Sequence, residues 1–141
     1  MPSSIELIRR ELQHRFHRSA TRRMFGFRLL RVERGRVWLE MEVARRFLQV
    51  HGRVHGGILA TLADTATALA AYTVVPPRAR LATLEMKINF LEGVERGAVT
   101  ARARVLRAGR TVVVCECDLR DGADRLAAKA MVTLAVSHPP G

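Results

Sequence analysis

The fold of this 141-residue chain depends most on one segment, Ile58-Leu-Ala-Thr-Leu-Ala-Asp-Thr-Ala-Thr-Ala-Leu-Ala-Ala-Tyr-Thr-Val-Val75. Its many alanines favour an α-helix, and Pro76 and Pro77 predict where that helix ends. Because apolar or small residues occur on every side of it, we expect the helix to be buried at the centre of the protein. Its single acidic residue is Asp64.

Alternating apolar and polar residues on both sides of this segment predict β-strands. One strand precedes the segment and four follow it, over residues 37–43, 82–90, 99–105, 111–119 and 126–136. In the second of these strands, strict alternation assigns Thr83 to the polar face. Short connections between the strands imply antiparallel neighbours. The simplest packing wraps one antiparallel sheet around the central helix, which is an α+β architecture.

The two ends of the chain differ from this central part. Residues 1–23 are basic, and apolar side chains recur there at helical spacing, at Ile5, Ile8, Leu12 and Phe16. The proline-rich tail, residues 137–141, is expected to be frayed. Because the chain contains no internal repeat and no linker, we predict a single domain over residues 1–141.

The formal charge of +11 comes almost entirely from arginine, since lysine occurs only at Lys87 and Lys129. A strong positive charge attracts polyanions, either nucleic acid or a phosphate-rich small molecule, although arginines on a solvated surface also explain it. The basic N-terminal helix has no helix-turn-helix signature and no aromatic platform for bases. Nucleic acid is therefore not expected as a partner.

Several features predict a location in the cytoplasm and no membrane partner. No apolar run reaches the ~20 residues that a membrane-spanning helix needs. The N-terminus contains an acid and two arginines where a signal peptide would be apolar. The only cysteines, Cys115 and Cys117, lie on the same face of a strand, and their spacing fits neither a redox pair nor a zinc site. We expect both to be buried thiols in a reducing compartment.

Asp64 needs an explanation, because an ionised carboxylate in an apolar helix is costly unless it is partnered or faces a cleft. One explanation is structural, with the carboxylate bonded to a hydroxyl of Thr61, Thr65 or Thr67. The other is a carboxylate held at a pocket, where poor solvation raises its basicity and suits a general base or a nucleophile.

The residues before the helix favour the second explanation. They are Val54-His55-Gly56-Gly57, and glycines at a helix N-terminus expose backbone N–H groups where the helix dipole favours negative charge. Such donors can hold a carbonyl oxygen as it becomes an oxyanion. Gly57 and Asp64 are seven residues apart, nearly two helical turns, so they lie on about the same face.

The stretch Gln49–Ala66, QVHGRVHGGILATLADTA, resembles the signature of hotdog-fold thioesterases of the phenylacetic acid degradation (PaaI-like) type. The likeness continues through residues 82–91 and 107–111 and covers roughly residues 24–136. It implies a hotdog fold, in which a curved antiparallel sheet wraps around a long helix. It also implies hydrolysis of acyl-coenzyme A thioesters by dimers that often pair into tetramers. No cofactor is expected besides the coenzyme A of the substrate.

The same resemblance implies roles for individual residues. Asp64 is the catalytic base or nucleophile, and the backbone N–H of Gly56 polarises the thioester carbonyl. Gln49, at a position more often held by asparagine, helps to position substrate or water from the neighbouring subunit. Thr83 falls where a hydroxyl can assist near the carboxylate.

Further residues are expected to help bind the substrate. His55 fixes the loop before the helix through a hydrogen bond, next to Gly57. Arg107 and Arg110 flank a turn where the family pattern places basic residues near the nucleotide, and arginine suits phosphates because it forms paired hydrogen bonds. The histidines and Asp64 do not offer three well-spaced ligands, so we predict no metal site.

Two other functions stay open. A hotdog dehydratase acts on β-hydroxyacyl thioesters with a loop histidine and a helix acid, a pair that His55 and Asp64 resemble loosely. A non-catalytic acyl-coenzyme A sensor or nucleic-acid-binding regulator would use the basic N-terminal helix, although sensors of this fold tend to lose the helix acid. The placement of the HGG tripeptide and the presence of Asp64 favour the thioesterase.

Overall fold

A computed structural model describes residues 1–140, which contain three α-helices, a short 3₁₀-helix and six β-strands. The N-terminal elements are helices α1 (Ser4–His17) and α2 (Ala20–Phe25), followed by strands β1 (Arg28–Glu33) and β2 (Arg36–Glu42). After the 3₁₀-helix (Arg45–Phe47) comes the long helix α3 (Gly56–Tyr72). The remaining strands are β3 (Arg80–Phe90), β4 (Ala98–Ala108), β5 (Val112–Arg120) and β6 (Leu126–Ser137).

The strands form one antiparallel sheet in the order β1-β2-β4-β5-β6-β3. α3 packs on one face of this sheet, and alternate apolar residues of the strands meet the helix in a common core. The predicted α+β architecture is therefore confirmed. Two elements are not predicted from the sequence. β1 contains the adjacent leucines Leu29 and Leu30 in place of a clean alternation, and α2 has only six residues.

The sheet covers one side of α3 and leaves the other side partly open. Leu59, Leu62, Ala63 and Ala66 are among the buried residues of the helix. Within the single chain the helix is therefore not buried on every side, because one sheet layer covers only one face of a helix. Half-buried residues at helical spacing form the uncovered side, which we call the open stripe: Thr61, Asp64, Thr65 and Ala68.

β3 contains a bulge at Leu84, where the pairing with β6 shifts between Thr83 and Glu85. Thr83 is paired with Leu134, which points into the core, whereas Glu85 is paired with Thr133 on the outer face of the sheet. Paired residues of antiparallel strands share a face, so Thr83 faces α3. The strict alternation that assigned Thr83 to the outer polar face is wrong, because one extra residue reverses the alternation beyond it.

Both cysteines lie on the core face of β5 as buried free thiols, as predicted. The Sγ atom of Cys115 lies 3.7 Å from the backbone oxygen of Thr67 in α3. Burial raises the pKa of the Cys115 thiol to about 12, and it also raises the pKa of the Cys117 thiol. Both side chains are therefore neutral at neutral pH.

The helical pattern predicted for the N-terminus is confirmed in α1. The helix begins with a capping box formed by Ser3 and Glu6. It buries Leu12 and Phe16 against the core, and Ile8 packs beside them.

At the C-terminus, β6 extends to Ser137, so the frayed tail predicted for residues 137–141 is wrong at its first residue, which is part of the sheet. A ring nitrogen of His138 lies 3.0 Å from the backbone oxygen of Arg110. The last residue of the predicted tail, Gly141, lies outside the described residues. Among residues 1–140, the structure contains no helix that could serve as a membrane span.

Candidate functional site

The N-terminus of α3 carries one backbone donor that residues 1–140 leave without an acceptor. The N-cap is His55, whose Nδ1 accepts the N–H of Gly57 at 3.2 Å and whose carbonyl oxygen accepts the N–H groups of Ile58 and Leu59. The N–H of Gly56 has no hydrogen-bond partner among the described residues. It lies at the positive end of the helix dipole, so it can donate to a ligand oxygen that carries negative charge.

Phe90, the last residue of β3, packs its ring against Gly56. A Cβ atom added to Gly56 would lie 3.1 Å from the Cζ atom of that ring, closer than ordinary van der Waals contact. Glycine at this position therefore allows the ring to close over the first turn of α3. The sequence does not identify Phe90 as part of this region, because its place in the alternation of β3 is that of any core-facing residue.

Asp64 lies on the open stripe and is half-buried. Its Oδ1 atom accepts a hydrogen bond from the hydroxyl of Thr83 at 2.6 Å. No other side chain of residues 1–140 donates to this carboxylate, so Oδ2 is available to a water molecule or a ligand. Within the same residues, no group of three His, Cys, Asp or Glu side chains is placed to hold a metal ion.

The structural explanation for Asp64 is not observed. The hydroxyls of Thr61, Thr65 and Thr67 donate to backbone carbonyl oxygens of the preceding turn, at 2.8 to 3.0 Å. The carboxylate of Asp64 is instead joined to β3 by Thr83. The contact fixes one carboxylate oxygen between helix and strand and leaves the group able to act as a base or a nucleophile.

Gly56 and Asp64 are far apart along α3. Asp64 lies eight positions after Gly56, which corresponds to a rise of ~12 Å. A reacting carbonyl group must lie about 3 Å from both its oxyanion donor and its attacking atom. The Gly56 N–H and the Asp64 carboxylate of one chain therefore cannot act on the same carbonyl group.

Gln49 lies in the tight loop before α3. Hydrogen bonds of 2.7 and 2.9 Å join its backbone to Arg53 and Gly52, and its side-chain oxygen accepts a backbone N–H of the same loop. Val50, at the tip of the loop, is 95% exposed. The loop does not bring Gln49 into hydrogen-bond contact with Asp64 of its own chain, and it presents an apolar tip to its surroundings.

Arg107 and Arg110 lie away from Asp64. Arg107 is paired opposite Val114 of β5, which places it on the face of the sheet that does not contact α3. Arg110 is exposed in the turn between β4 and β5. The structure therefore does not bring these arginines to the carboxylate within one chain.

Comparison with known proteins identifies one family. The family model described as the thioesterase superfamily matches residues 51–128, which include Gly56 and Asp64. A relative from Saccharolobus solfataricus, named only as a candidate esterase, is 38% identical over 104 residues, or 74% of this chain and 74% of the relative. The 1,4-dihydroxy-2-naphthoyl-CoA hydrolase of Listeria monocytogenes is 30% identical over 111 residues, or 79% of this chain and 90% of the relative.

The fold is also found in a solved structure. A thioesterase family protein from Silicibacter pomeroyi superposes with a TM-score of 0.90 at 30% sequence identity. The superposition covers 94% of this chain and 99% of that protein. The hotdog fold that the sequence resemblance implies is therefore confirmed.

Proposed function

The chain belongs to the thioesterase superfamily, and we propose that it hydrolyses acyl-coenzyme A thioesters to a free acid and coenzyme A. The observation that carries the proposal is the pair of Asp64 and Thr83, a half-buried carboxylate held by one hydroxyl on the open stripe of α3. Membership of the family supports hydrolysis of a thioester. The naphthoyl-CoA hydrolase among the relatives supports coenzyme A as the thiol.

Hydrolysis requires an attacking oxygen and a donor for the charge that develops on the carbonyl oxygen. Asp64 provides the first in one of two ways. It attacks the carbonyl carbon to form an anhydride that water then hydrolyses, or it removes a proton from a water molecule that attacks. In both routes the C–S bond breaks, and the coenzyme A thiolate leaves and takes up a proton. The Gly56 N–H is the donor, a role worth roughly 3 kcal/mol in comparable sites.

The separation of ~12 Å along α3 supports a site in which the two groups come from different chains. We propose that Asp64 and Thr83 of one copy face Gly56 and Gln49 of a second copy. In this arrangement Gln49 positions the substrate or the attacking water. A two-fold interface creates two such sites, because each copy offers the same groups to the other.

The surface near Asp64 supports such an interface. β3 is at the edge of the sheet, so its outer side has no partner strand among residues 1–140. Leu84 and Leu91, in and just after this strand, are 61% and 55% exposed, and Val50 projects from the loop before α3. A second copy added along β3 would bury these apolar side chains and cover the open stripe. We propose a dimer, or two dimers paired in a tetramer.

The other residues have supporting roles in this proposal. His55 orients the first turn of α3 by capping Gly57. Arg107 and Arg110 bind the phosphates of coenzyme A. The acyl group of the same substrate lies in the site that another copy completes. The proposed reaction needs no metal and no other cofactor. We place it in the cytoplasm, where free thiols such as those of this chain stay reduced.

A panel of thioesters tests the function. We expect the protein to release free thiol from at least one of an aromatic, a short-chain and a long-chain acyl-coenzyme A. The same preparation is tested for dehydration of a β-hydroxyacyl thioester and for a shift of labelled DNA at two salt concentrations. Thiol release without the other two activities supports the thioesterase. Dehydration alone, or salt-sensitive DNA binding alone, would instead assign one of the two alternative functions.

Thr83→Val is expected to lower kcat about tenfold with little change in KM, because it removes the hydroxyl that holds Asp64 while keeping the shape of the side chain. Steady-state kinetics on the best substrate of the panel measure this. Thr133→Val is the matched control, since Thr133 donates to Glu85 on the outer face of the sheet. An equal loss of activity in both variants would mean that the Asp64 contact is not responsible.

A further inference from the structure

A cavity of about 670 Å³ opens between α1 and the segment that follows α3, at the opposite end of α3 from Gly56. This volume is typical of sites that bind small molecules. We call this cavity the α1 cleft. Most of its lining is apolar and comes from α1 and from the end of α3 with the residues after it: Leu7, Ile8, Leu12, Tyr72, Val74 and Val75.

Two arginines line the α1 cleft, and only one of them is neutralised. The Nε atom of Arg15 lies 2.8 Å from Oε1 of Glu11, and its guanidinium lies 5.8 Å from the centre of the Tyr72 ring. Arg34, exposed in the turn between β1 and β2, forms no salt bridge with an acidic side chain of residues 1–140. The cleft therefore combines an apolar lining with one uncompensated positive charge.

An adjoining cavity of about 300 Å³ extends the positive charge. It shares Arg15 and Tyr72 with the α1 cleft, and Arg78 and Arg80 also line it. Among the side chains of residues 1–140, Glu11 is the only acid that lines either cavity, and Arg15 already neutralises it. An anion is therefore attracted to this region. Beside the apolar lining, its charged group is stable only where it pairs with a guanidinium group.

The α1 cleft is separate from the proposed reaction site. Tyr72 lies eight residues beyond Asp64, a rise of ~12 Å along α3. Neither Asp64 nor Thr83 nor Gly56 lines the cleft. The proposed mechanism therefore leaves this cavity unused.

We propose that the α1 cleft binds a carboxylic acid with a long apolar tail. The tail occupies the lining formed by α1 and the end of α3, and the carboxylate pairs with Arg34, whose guanidinium can form two parallel hydrogen bonds to it. A neutral lipid leaves Arg34 without a counter-charge, and a phosphate-rich anion leaves the apolar lining in contact with water. Binding of the acid uses none of the residues of thioester hydrolysis, so it does not depend on the proposed function.

Titration calorimetry with dodecanoate, at low ionic strength and below the concentration at which it forms micelles, tests this proposal. We expect one site per chain with a dissociation constant below about 1 mM. Dodecan-1-ol, which lacks the charge, should bind about tenfold more weakly. Arg34→Ala should weaken dodecanoate binding about tenfold, and Leu7→Glu, which introduces a negative charge into the apolar lining, by at least as much.

Two control variants lie outside the cleft. Arg10→Ala removes an arginine of α1 that does not line the cleft. Leu30→Glu is the control for Leu7→Glu, because Leu30 in β1 is 50% exposed and Leu7 is 54% exposed. Both should bind dodecanoate within about twofold of the wild type. Asp64→Asn should also bind it normally, which separates this site from the site of hydrolysis.

The proposal would be overturned by no binding to the wild type, by many bound molecules per chain, or by unchanged affinity in both Arg34→Ala and Leu7→Glu. Loss of binding in Asp64→Asn would assign the acid to the hydrolytic site instead. Circular dichroism checks that Leu7→Glu is folded, and Arg34→Ala tests the same site without altering α1.

Discussion

Replacing Asp64 by asparagine is expected to lower kcat for acyl-coenzyme A hydrolysis at least about 100-fold, as is typical of losing a general base. The amide keeps the shape of the side chain, and its carbonyl oxygen can still accept the hydroxyl of Thr83. It loses the ability to take a proton from water or to attack a carbonyl carbon. Steady-state kinetics on the best substrate of the panel measure the effect, and KM should change little.

Asp118→Asn is the matched control for this variant. Asp118 lies on the outer face of the sheet, where its Oδ1 atom accepts a hydrogen bond from Lys129 at 2.5 Å. The kcat of the Asp118→Asn variant should stay within about twofold of the wild type. Asp64→Asn should fold, because a neutral amide costs no more than a carboxylate in apolar surroundings, and thermal unfolding of both variants checks this. A folded Asp64→Asn protein with wild-type turnover would show that the proposed mechanism is wrong.

A second large loss of activity is expected when substitutions at the β3 edge prevent two copies from associating. Leu84→Lys combined with Leu91→Lys places two positive charges at exposed positions of each copy, so like charges would meet across a two-fold interface. We expect light scattering to show monomers. We also expect kcat to fall at least about 100-fold, because a lone chain cannot bring a Gly56 N–H to its own Asp64.

Leu30→Lys combined with Leu106→Lys is the control, since it changes two exposed leucines on β1 and β4, away from that edge. This variant should keep both the mass and the rate of the wild type. Wild-type protein that is monomeric at micromolar concentration would contradict the proposed assembly. Full activity in a monomeric edge variant would contradict a site shared between chains.

Mixed dimers test the shared site more directly. Asp64→Asn keeps the Gly56 donor, and Gly56→Pro removes that N–H without breaking a helical hydrogen bond, because proline is tolerated in the first turn of a helix. The ring of Phe90 must move by a few tenths of an ångström to admit the new Cβ atom. Each variant should be inactive alone, whereas co-expression should restore activity in one of the two sites of a mixed dimer. No recovery would contradict a site that combines Gly56 of one chain with Asp64 of the other.

The parts of the fold that follow a repeating pattern could be predicted from the sequence. The apolar segment 58–75 corresponds to α3, and the five alternating segments correspond to β2 and to β3 through β6. Both patterns follow from the burial of apolar side chains: alternation indicates a strand with one buried face, and a continuous apolar segment indicates the central helix. Asp64 and Gly56 could be identified because they interrupt the pattern, as a charge in an apolar helix and a glycine at its start.

The remaining features depend on contacts between residues that are distant in sequence. The bulge at Leu84 turns Thr83 towards Asp64, and no residue type in the segment marks it. The contact of Phe90 with Gly56 depends on where the end of β3 meets the start of α3. The sequence does not show which side of α3 stays uncovered, because alanine and threonine fit either environment and only the position of the sheet decides this.

The two thiols beneath α3 determine how the chemistry can be followed in the laboratory. Hydrolysis of an acyl-coenzyme A releases one thiol per turnover, and disulfide reagents that detect it react with thiolates. Because Cys115 and Cys117 are enclosed in the core and protonated at neutral pH, the native protein contributes no background colour to such a measurement. Unfolding exposes both sulfurs of each chain, so a single reagent reports turnover in a native sample and loss of structure in a heated one.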